Sequence, residues 1–177
     1  MRFLQHPFPE MKAKTYQRLA EYGQLAVIIL IMACFFLNFR VACVPSLSMY
    51  PTLDVNEYLF CMNTSEFQYG DIVIFHPYPN SSTTYVKRAI GKEGDTIAVK
   101  DGMVWRNGEA LTEKYIAEPI EYEMDEITVP DGTYFLMGDN RNNSSDSHVL
   151  GPIDEDSIYA KVLFHFNPVN WIKNQIA

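Results

Sequence analysis

The segment Val44-Pro45-Ser46-Leu47-Ser48-Met49-Tyr50-Pro51-Thr52-Leu53 follows an apolar run and an arginine, where a chain leaving a membrane would meet water. Ser46 and Ser48 lie two residues apart, so in an extended segment both hydroxyls point the same way. Pro45 and Pro51 restrict φ on either side, which favours an ordered loop over a mobile one. These features predict the mouth of an active site that is built on a serine hydroxyl.

A serine nucleophile needs a base within hydrogen-bond reach, and no histidine is nearby in the sequence. Lys87 lies in a strand-like alternation over 84–90 and points the same way as Tyr85 and Ala89. A free lysine, with a pKa near about 10.4, is protonated at neutral pH. Burial beside residues such as Val86 would lower that pKa by several units. The pattern therefore predicts a Ser/Lys hydrolase site, the alternative for Lys87 being an ordinary solvated strand lysine.

Composition limits the class of protein. The 177 residues suit one globular domain with an attachment, and 47% apolar with 14% aromatic residues is enough for a core. The net charge of −8 is unevenly spread, because the chain carries a surplus of positive charge up to Arg40 and is strongly acidic after it. An acidic body without a basic stripe argues against nucleic acid as a partner.

Cysteines and histidines give no sign of a disulfide framework or a metal centre. Cys34 lies in the apolar run, while Cys43 and Cys61 either pair in an oxidising space or stay as free thiols. There is no Cys-x-x-Cys motif, and the four histidines lack metal-ligand spacing. We predict no metal and no cofactor.

An uncharged run extends from Tyr22 to Phe39. A membrane-spanning helix needs about 20 such residues and can manage with roughly 17. We predict a tail over 1–21, a transmembrane helix over 22–40 and an extracytoplasmic body over 41–177. Because the basic flank precedes the span, the positive-inside rule places the N-terminus in the cytoplasm. The alternatives are a buried core helix and a cleaved secretory signal.

The body consists of short apolar runs separated by turns that contain Gly or Pro. This pattern predicts an all-β body of antiparallel sheets, closed or stacked. Asn107-Gly108 is a strong hairpin signal, and a small insert is expected around 101–126, with acidic 109–126 as a surface excursion. The predicted strands are 57–61, 71–75, 85–90, 96–99, 103–106, 126–129, 134–137 and 159–166.

Four stretches together carry a family resemblance: 45–53, Gly70-Asp71-Ile72-Val73, 85–95 and Gly138-Asp139-Asn140-Arg141-Asn142-Asn143-Ser144-Ser145-Asp146-Ser147. In this order behind an apolar span, they closely resemble the bacterial type I signal peptidases. Those are membrane-anchored Ser/Lys endopeptidases that remove signal peptides from exported proteins. The resemblance runs from the span to about Ile153 and implies the compact, single-span form in the cell membrane, with a fold related to that of SOS-type repressors.

The resemblance implies roles for four side chains. Ser48 would be the nucleophile and Lys87 the general base. Ser46 would donate its hydroxyl, beside the Ser48 backbone N–H, to the developing oxyanion. Ser144 would orient the lysine amine, as a third group orients the base in a triad. The alternative for Ser46 and Ser144 is a loop hydroxyl that bonds only to its own surroundings.

Supporting residues are also implied. Asp139 would pair with Arg88, which points away from Lys87, and would hold the last motif against the lysine strand. The family usually carries arginine where this chain has His148. An Asp146–His148 pair would weaken as the histidine loses its proton, so we expect the site to loosen at alkaline pH.

Substrate recognition is predicted around the two catalytic segments. Shallow pockets for alanine-sized side chains would fit the Ala-x-Ala rule of signal-peptide cleavage, and the substrate backbone would add as a β-strand along Pro45 and Tyr85. The expected walls are Val44, Met49, Leu53 and Val86, the alternative being that these residues only pack in the core.

Two rival functions were weighed against this hypothesis. A self-cleaving repressor of the SOS type shares the Ser/Lys chemistry but would be soluble, with an N-terminal helix-turn-helix, and the apolar run contradicts both. A non-catalytic β module tethered to the membrane is the rival from another class. The preferred hypothesis implies signal peptides and membrane lipid as partners, and a monomer.

Overall fold

The computed structural model describes residues 13–79 and 81–167. The chain divides into two compact units, residues 1–38 and residues 39–177. Of the tail predicted over 1–21, residues 1–12 lie outside the described residues, and so do residues 168–177 of the predicted body.

The first unit contains one long helix, α1 (Ala13–Asn38). Its stretch Thr15–Asn38 contains an 18-residue window with a mean hydropathy of 2.0 and is long and apolar enough to cross a membrane. The side chains are exposed along this stretch, which excludes the core-helix alternative. The helix starts before residue 22 and ends at Asn38, and the extent of the span predicted over 22–40 stays a prediction. At the end of the helix, the Asn38 Nδ2 group donates to the Cys34 carbonyl at 2.8 Å.

The second unit is built of short strands, as the turn pattern predicted. Several predicted runs match an observed strand to within two residues at each end. In chain order the strands are β1 (Phe39–Cys43), β2 (Tyr58–Asn63), β3 (Ile72–Phe75), β4 (Tyr85–Lys92), β5 (Thr96–Lys100), β6 (Met103–Arg106), β7 (Glu109–Ala110), β8 (Met124–Thr128), β9 (Thr133–Met137), β10 (Ile153–Asp154) and β11 (Ile158–Phe166). A short helix, α2, covers Ser147–Leu150.

The strands form two antiparallel sheets. The large sheet has the order β1-β2-β11-β3-β4-β9-β10, and the small sheet has the order β7-β6-β5-β8. The predicted fold class is confirmed: an all-β body with one apolar N-terminal helix. The Asn107-Gly108 turn joins β6 to β7 with positive φ at both residues, which is the conformation of the predicted hairpin turn.

Three strands were missed. β1 contains Phe39 and Arg40, which the prediction assigned to the span; instead they pair with β2, opposite Met62 and Cys61. This pairing satisfies the backbone groups of Phe39 and Arg40. β7 and β10 have only two residues each, too few to show an alternating pattern. Cys43 and Cys61 are free thiols, and burial raises the pKa of Cys61 to about 11.

Strand β4 lies between β3 and β9 near the middle of the large sheet, and six consecutive residues of it are buried. Its apolar side chains reach three separate clusters. Val86 packs beside the 44–53 segment, Ala89 packs with β3 and β9, and Ile90 packs with the small sheet. A strand that is covered on both faces gives its polar residues a dry environment, and Lys87 and Arg88 belong to this strand.

The segment 111–123, between β7 and β8, is called the strap below. It was predicted as part of a surface excursion, which is only partly right. Ile120 is buried in the cluster beneath the small sheet, and the Glu113 side chain is 2% exposed. The acidic residues led to the prediction that this segment is exposed to solvent, because the local sequence does not show that Glu113 has a buried partner.

Candidate active site

The Ser48 segment is held in place by its apolar residues. A single 3₁₀ turn covers Leu47–Met49, and Met49 is buried below it. The backbone N–H of Leu53 donates to the Met49 carbonyl at 2.9 Å, and Val44 exchanges backbone hydrogen bonds with the 56–57 turn. Burial of Val44 and Met49 on either side of Ser48 leaves the serine hydroxyl partly exposed on a fixed backbone.

Lys87 reaches Ser48 across the cleft. Its Nζ atom lies 2.6 Å from Ser48 Oγ, although the two residues are 39 positions apart in the chain. Lys87 is only 3% exposed, and its Nζ lies 5.4 Å from the centroid of the Tyr85 ring. A buried amine beside a serine hydroxyl is the arrangement that general-base catalysis requires.

Burial lowers the pKa of Lys87 from 10.5 to about 8. Desolvation is the main cause, since it disfavours the ammonium form. The carboxylates of Asp146 and Asp139 act in the opposite direction and raise the pKa by attraction. Near neutral pH a useful fraction of the amine is therefore neutral, and any ammonium that forms has two negative charges to stabilise it.

Ser46 lies beside the nucleophile. Its Oγ donates to Ser48 Oγ at 3.3 Å, and the residue is exposed. The two hydroxyls therefore lie close together, although Ser48 belongs to a 3₁₀ turn and not to the extended segment that the prediction assumed. The oxyanion role itself stays a prediction.

The Gly138–Asp146 segment, called the catalytic loop below, is organised by a fully buried carboxylate. Asp146 Oδ2 accepts hydrogen bonds from the Gly138 backbone N–H at 2.7 Å and from Ser144 Oγ at 2.6 Å. Asp146 Oδ1 lies 2.7 Å from Nδ1 of His148. The Ser144 hydroxyl thus donates to Asp146, whereas the predicted contact with the Lys87 amine is not present. The Asp146 carboxylate can accept several donors at once, and so it holds this segment together. The lysine-orienting role of Ser144 stays a prediction.

Space at Gly138 is a requirement that the sequence did not reveal. A Cβ built there would clash with Ser144 Oγ and the Ser48 carbonyl, and it would lie 2.7 Å from Ser144 Cβ. The neighbouring Asn140 completes this junction, since its N–H donates to the Ser48 carbonyl and its Nδ2 to the Leu47 carbonyl, both at 3.1 Å. The catalytic loop therefore docks directly onto the backbone of the Ser48 turn.

Arg88 and Asp139 form a bidentate buried pair. Arg88 Nε donates to Asp139 Oδ1 at 2.8 Å and Nη2 donates to Oδ2 at 2.6 Å. Thr52 adds its hydroxyl to Asp139 Oδ2, and Arg88 Nη1 donates to the Gly70 carbonyl at 2.8 Å. The pair joins β4 to the catalytic loop, as the sequence analysis expected, and Thr52 adds the end of the Ser48 segment.

A cleft of about 610 Å³ opens beside Ser48 and Lys87. Five of the six predicted substrate-contacting residues line it. Leu53 does not: it is fully buried in the core, because its position after Pro51 turns it under the Ser48 turn. The lining residues are Val44, Pro45, Ser46, Leu47, Ser48, Met49, Val55, Thr83, Thr84, Tyr85, Val86, Lys87, Asn143 and Ser145.

Among residues 13–79 and 81–167, no group of three or more His, Cys, Asp or Glu side chains is arranged to hold a metal ion.

A family model described as signal peptidase, peptidase S26, matches residues 17–167 of the chain. The chain belongs to this signal peptidase family. It is a serine endopeptidase.

Curated relatives of this signal peptidase cover most of its length. "Probable signal peptidase I-1" of Synechocystis sp. is 38% identical over 88% of this chain and 86% of its own. "Signal peptidase I T" of Bacillus subtilis is 38% identical over 90% of this chain and 89% of its own. "Thylakoidal processing peptidase 1, chloroplastic" of Arabidopsis thaliana is 35% identical over 75% of this chain and 43% of its own. The resemblance inferred from the four motifs is thus confirmed.

His148 is the ring partner of Asp146 in this signal peptidase, with Nδ1 of His148 2.7 Å from Asp146 Oδ1. The His148 ring stacks on Tyr122, with centroids 4.4 Å apart and ring planes 17° apart. The expected loosening of the site at alkaline pH stays a prediction.

Proposed function

We propose that this signal peptidase is a signal peptidase I of the compact, single-span form, which removes signal peptides from exported preproteins at Ala-x-Ala-like sites. The observation that carries the proposal is the 2.6 Å approach of a buried lysine amine to a serine hydroxyl. Proton transfer needs this distance, and a pKa lowered to about 8 makes the amine available as a base near neutral pH.

Acylation begins when neutral Lys87 takes the proton of Ser48 Oγ as the oxygen attacks the scissile carbonyl. The negative charge moves to the carbonyl oxygen, where the Ser46 hydroxyl and the Ser48 backbone N–H donate to it. The Lys87 ammonium then gives its proton to the leaving amine as the C–N bond breaks. The products are the free mature protein and a signal peptide joined to Ser48 through an ester.

Deacylation repeats these steps with water. Neutral Lys87 accepts a proton from a water molecule that attacks the ester carbonyl, and the ammonium returns a proton to Ser48 Oγ as the ester breaks. The carboxylates of Asp146 and Asp139 stabilise the ammonium in both halves, since they attract its charge.

The cleft supports a preference for small side chains. Val44, Met49 and Val86 are nearly buried, so they offer apolar walls and little depth to a substrate. Pro45 and Tyr85 lie on two separate segments of the cleft lining. A substrate in extended conformation would bind between these segments mainly through its backbone.

For the membrane, we propose a single pass with the N-terminus in the cytoplasm and the catalytic unit on the outer face, as a monomer that contacts lipid through α1. The support is the apolar stretch Thr15–Asn38, together with the positive charge that precedes it and the acidic unit that follows. Protease added to intact spheroplasts should degrade the catalytic unit and spare an N-terminal tag. Protection of the catalytic unit would reverse the proposed orientation.

The decisive test of function is cleavage of a purified preprotein in detergent. The chain should release the mature protein at a small-x-small site, as mass spectrometry of both products would show. Ser48→Ala should release none, and the matched control Ser65→Ala, at an exposed serine, should act like the parent. Normal cleavage by Ser48→Ala would refute the catalytic assignment.

A further inference from the structure

The catalytic loop has a second set of contacts on the side away from the Ser48 turn. Arg141 is 1% exposed and forms a bidentate ion pair with Glu113 of the strap. Nη1 donates to Glu113 Oε2 and Nη2 donates to Glu113 Oε1, both at 2.7 Å. A buried arginine needs such a partner, because an unpaired buried charge is strongly destabilising.

Arg141 also reaches the residue that touches the nucleophile. Its Nε donates to the Gly138 carbonyl at 3.0 Å. Gly138 packs against Ser144 and the Ser48 carbonyl so closely that no side-chain atom fits between them. A continuous series of contacts therefore runs from the Glu113 carboxylate through Arg141 and Gly138 to the Ser48 backbone.

Tyr115 ties the same strap to the lysine strand. Its hydroxyl donates to Glu113 Oε1 at 2.6 Å, and its ring lies below the Arg88 guanidinium with 3.9 Å between ring centroid and Cζ. Arg88 directly follows Lys87 in β4 and holds Asp139 of the catalytic loop. The strap thus contacts both arginines that flank the dyad, one through a carboxylate and one through a ring.

Asn142 provides an additional contact between the strap and the catalytic loop. Its Nδ2 donates to Glu118 Oε1 at 3.1 Å and to the Pro119 carbonyl at 3.0 Å. Its Oδ1 accepts the Glu121 backbone N–H at 2.8 Å. Three consecutive residues of the catalytic loop therefore contact two different segments. Asn140 binds the Ser48 turn, while Arg141 and Asn142 bind the strap.

We propose that the strap is a positioning element of the active site, and that Glu113 is its principal positioning residue. Glu113 fixes Arg141, and Arg141 in turn fixes the Gly138 carbonyl. The surface of the catalytic loop that contacts Ser48 is thereby held in position. The inference depends on the proposed Ser48–Lys87 dyad. It assigns a use to the acidic segment, which does not line the cleft and has no contact with substrate in the proposed function.

The test compares Glu113→Gln with Glu123→Gln in the full-length chain. Both changes remove one carboxylate from the strap, but Glu123 is exposed and makes none of the contacts above. Because a displacement of about 1 Å at a reacting group costs up to roughly a hundredfold in rate, we expect Glu113→Gln to lower kcat by roughly 10- to 100-fold. KM should change little, since the cleft is lined by other residues. Glu123→Gln should match the parent.

The rate must be expressed per active molecule, counted from the burst of acyl-enzyme, since a role in stability alone would reduce the number of active molecules and leave their kcat intact. Unchanged kcat in folded Glu113→Gln would overturn the proposal. If Glu113→Gln does not fold, Tyr115→Phe is tested instead, because this change removes only the hydroxyl that donates to Glu113. A lowered kcat in Tyr115→Phe would support the proposal, and a normal kcat would overturn it. Ser48→Ala is measured in parallel to separate the proposed dyad from the proposed role of the strap. Normal cleavage by Ser48→Ala would refute the dyad, whatever the result for Glu113→Gln.

Discussion

Replacing Lys87 with methionine should abolish turnover while leaving the fold intact. Methionine has nearly the same length and fits an apolar strand, but it cannot accept the Ser48 proton. Loss of a base that acts as a unit with its nucleophile costs at least about a thousandfold in kcat. Lys92→Met is the matched control, since the same change is made at an exposed position in the same strand. Its kcat/KM should equal that of the parent.

The parent should also show the titration of this base. Because the pKa of Lys87 is lowered to about 8, kcat/KM should fall about tenfold per pH unit below that value as the amine gains its proton. Initial rates on a preprotein between pH 6 and pH 10 check this prediction. A flat profile down to pH 6, or appreciable cleavage by Lys87→Met, would show that another group is the base.

Gly138→Ala should be nearly as damaging, although the new methyl group adds no charge and no polar atom. The added Cβ would clash with Ser144 Oγ and with the carbonyl of Ser48. Backbone at that junction cannot yield without moving the nucleophile, since Asn140 hydrogen-bonds the same carbonyl. We expect kcat to fall by about a hundredfold or more from this displacement.

The control for Gly138→Ala is Gly23→Ala, in α1. A Cβ at Gly23 meets nothing within 4 Å, so the same methyl group should leave cleavage unchanged. Kinetic constants and thermal unfolding of both variants separate loss of geometry from loss of fold. Normal kcat in Gly138→Ala would mean that the catalytic loop and the Ser48 turn move apart freely.

Local patterns were enough to find eight of the strands and to suggest the two groups of the proposed dyad. β6 was predicted at its observed bounds, Met103–Arg106, because the Asn107-Gly108 hairpin signal marks its end. Ser48 and Lys87 were paired because hydroxyl chemistry needs a base, and Lys87 was expected to be buried from the apolar residues around it in β4. Their 2.6 Å separation is a property of the fold alone.

What escaped sequence reasoning depends on contacts between distant segments. Leu53 has the character of a pocket wall, yet the turn at Pro51 sends it into the core. A local contact was also missed, since Ser144 was matched by motif to the lysine amine and its hydroxyl donates to Asp146, two residues along the chain. The buried partnership of Glu113 with Arg141 spans 28 residues. An acidic residue in a loop gives no local sign of such a partner.

The dry setting of Lys87 has a thermodynamic consequence for the whole enzyme. A pKa displaced from 10.5 to about 8 means that the folded state binds this proton less tightly than the unfolded chain, a cost of roughly 3 kcal/mol below pH 8. The cost disappears as pH rises from 8 towards 10.5, since the unfolded chain then loses the same proton. The burial that keeps the Lys87 amine neutral for catalysis therefore lowers the free energy of unfolding. A variant with an apolar residue at this position would be more stable and inactive.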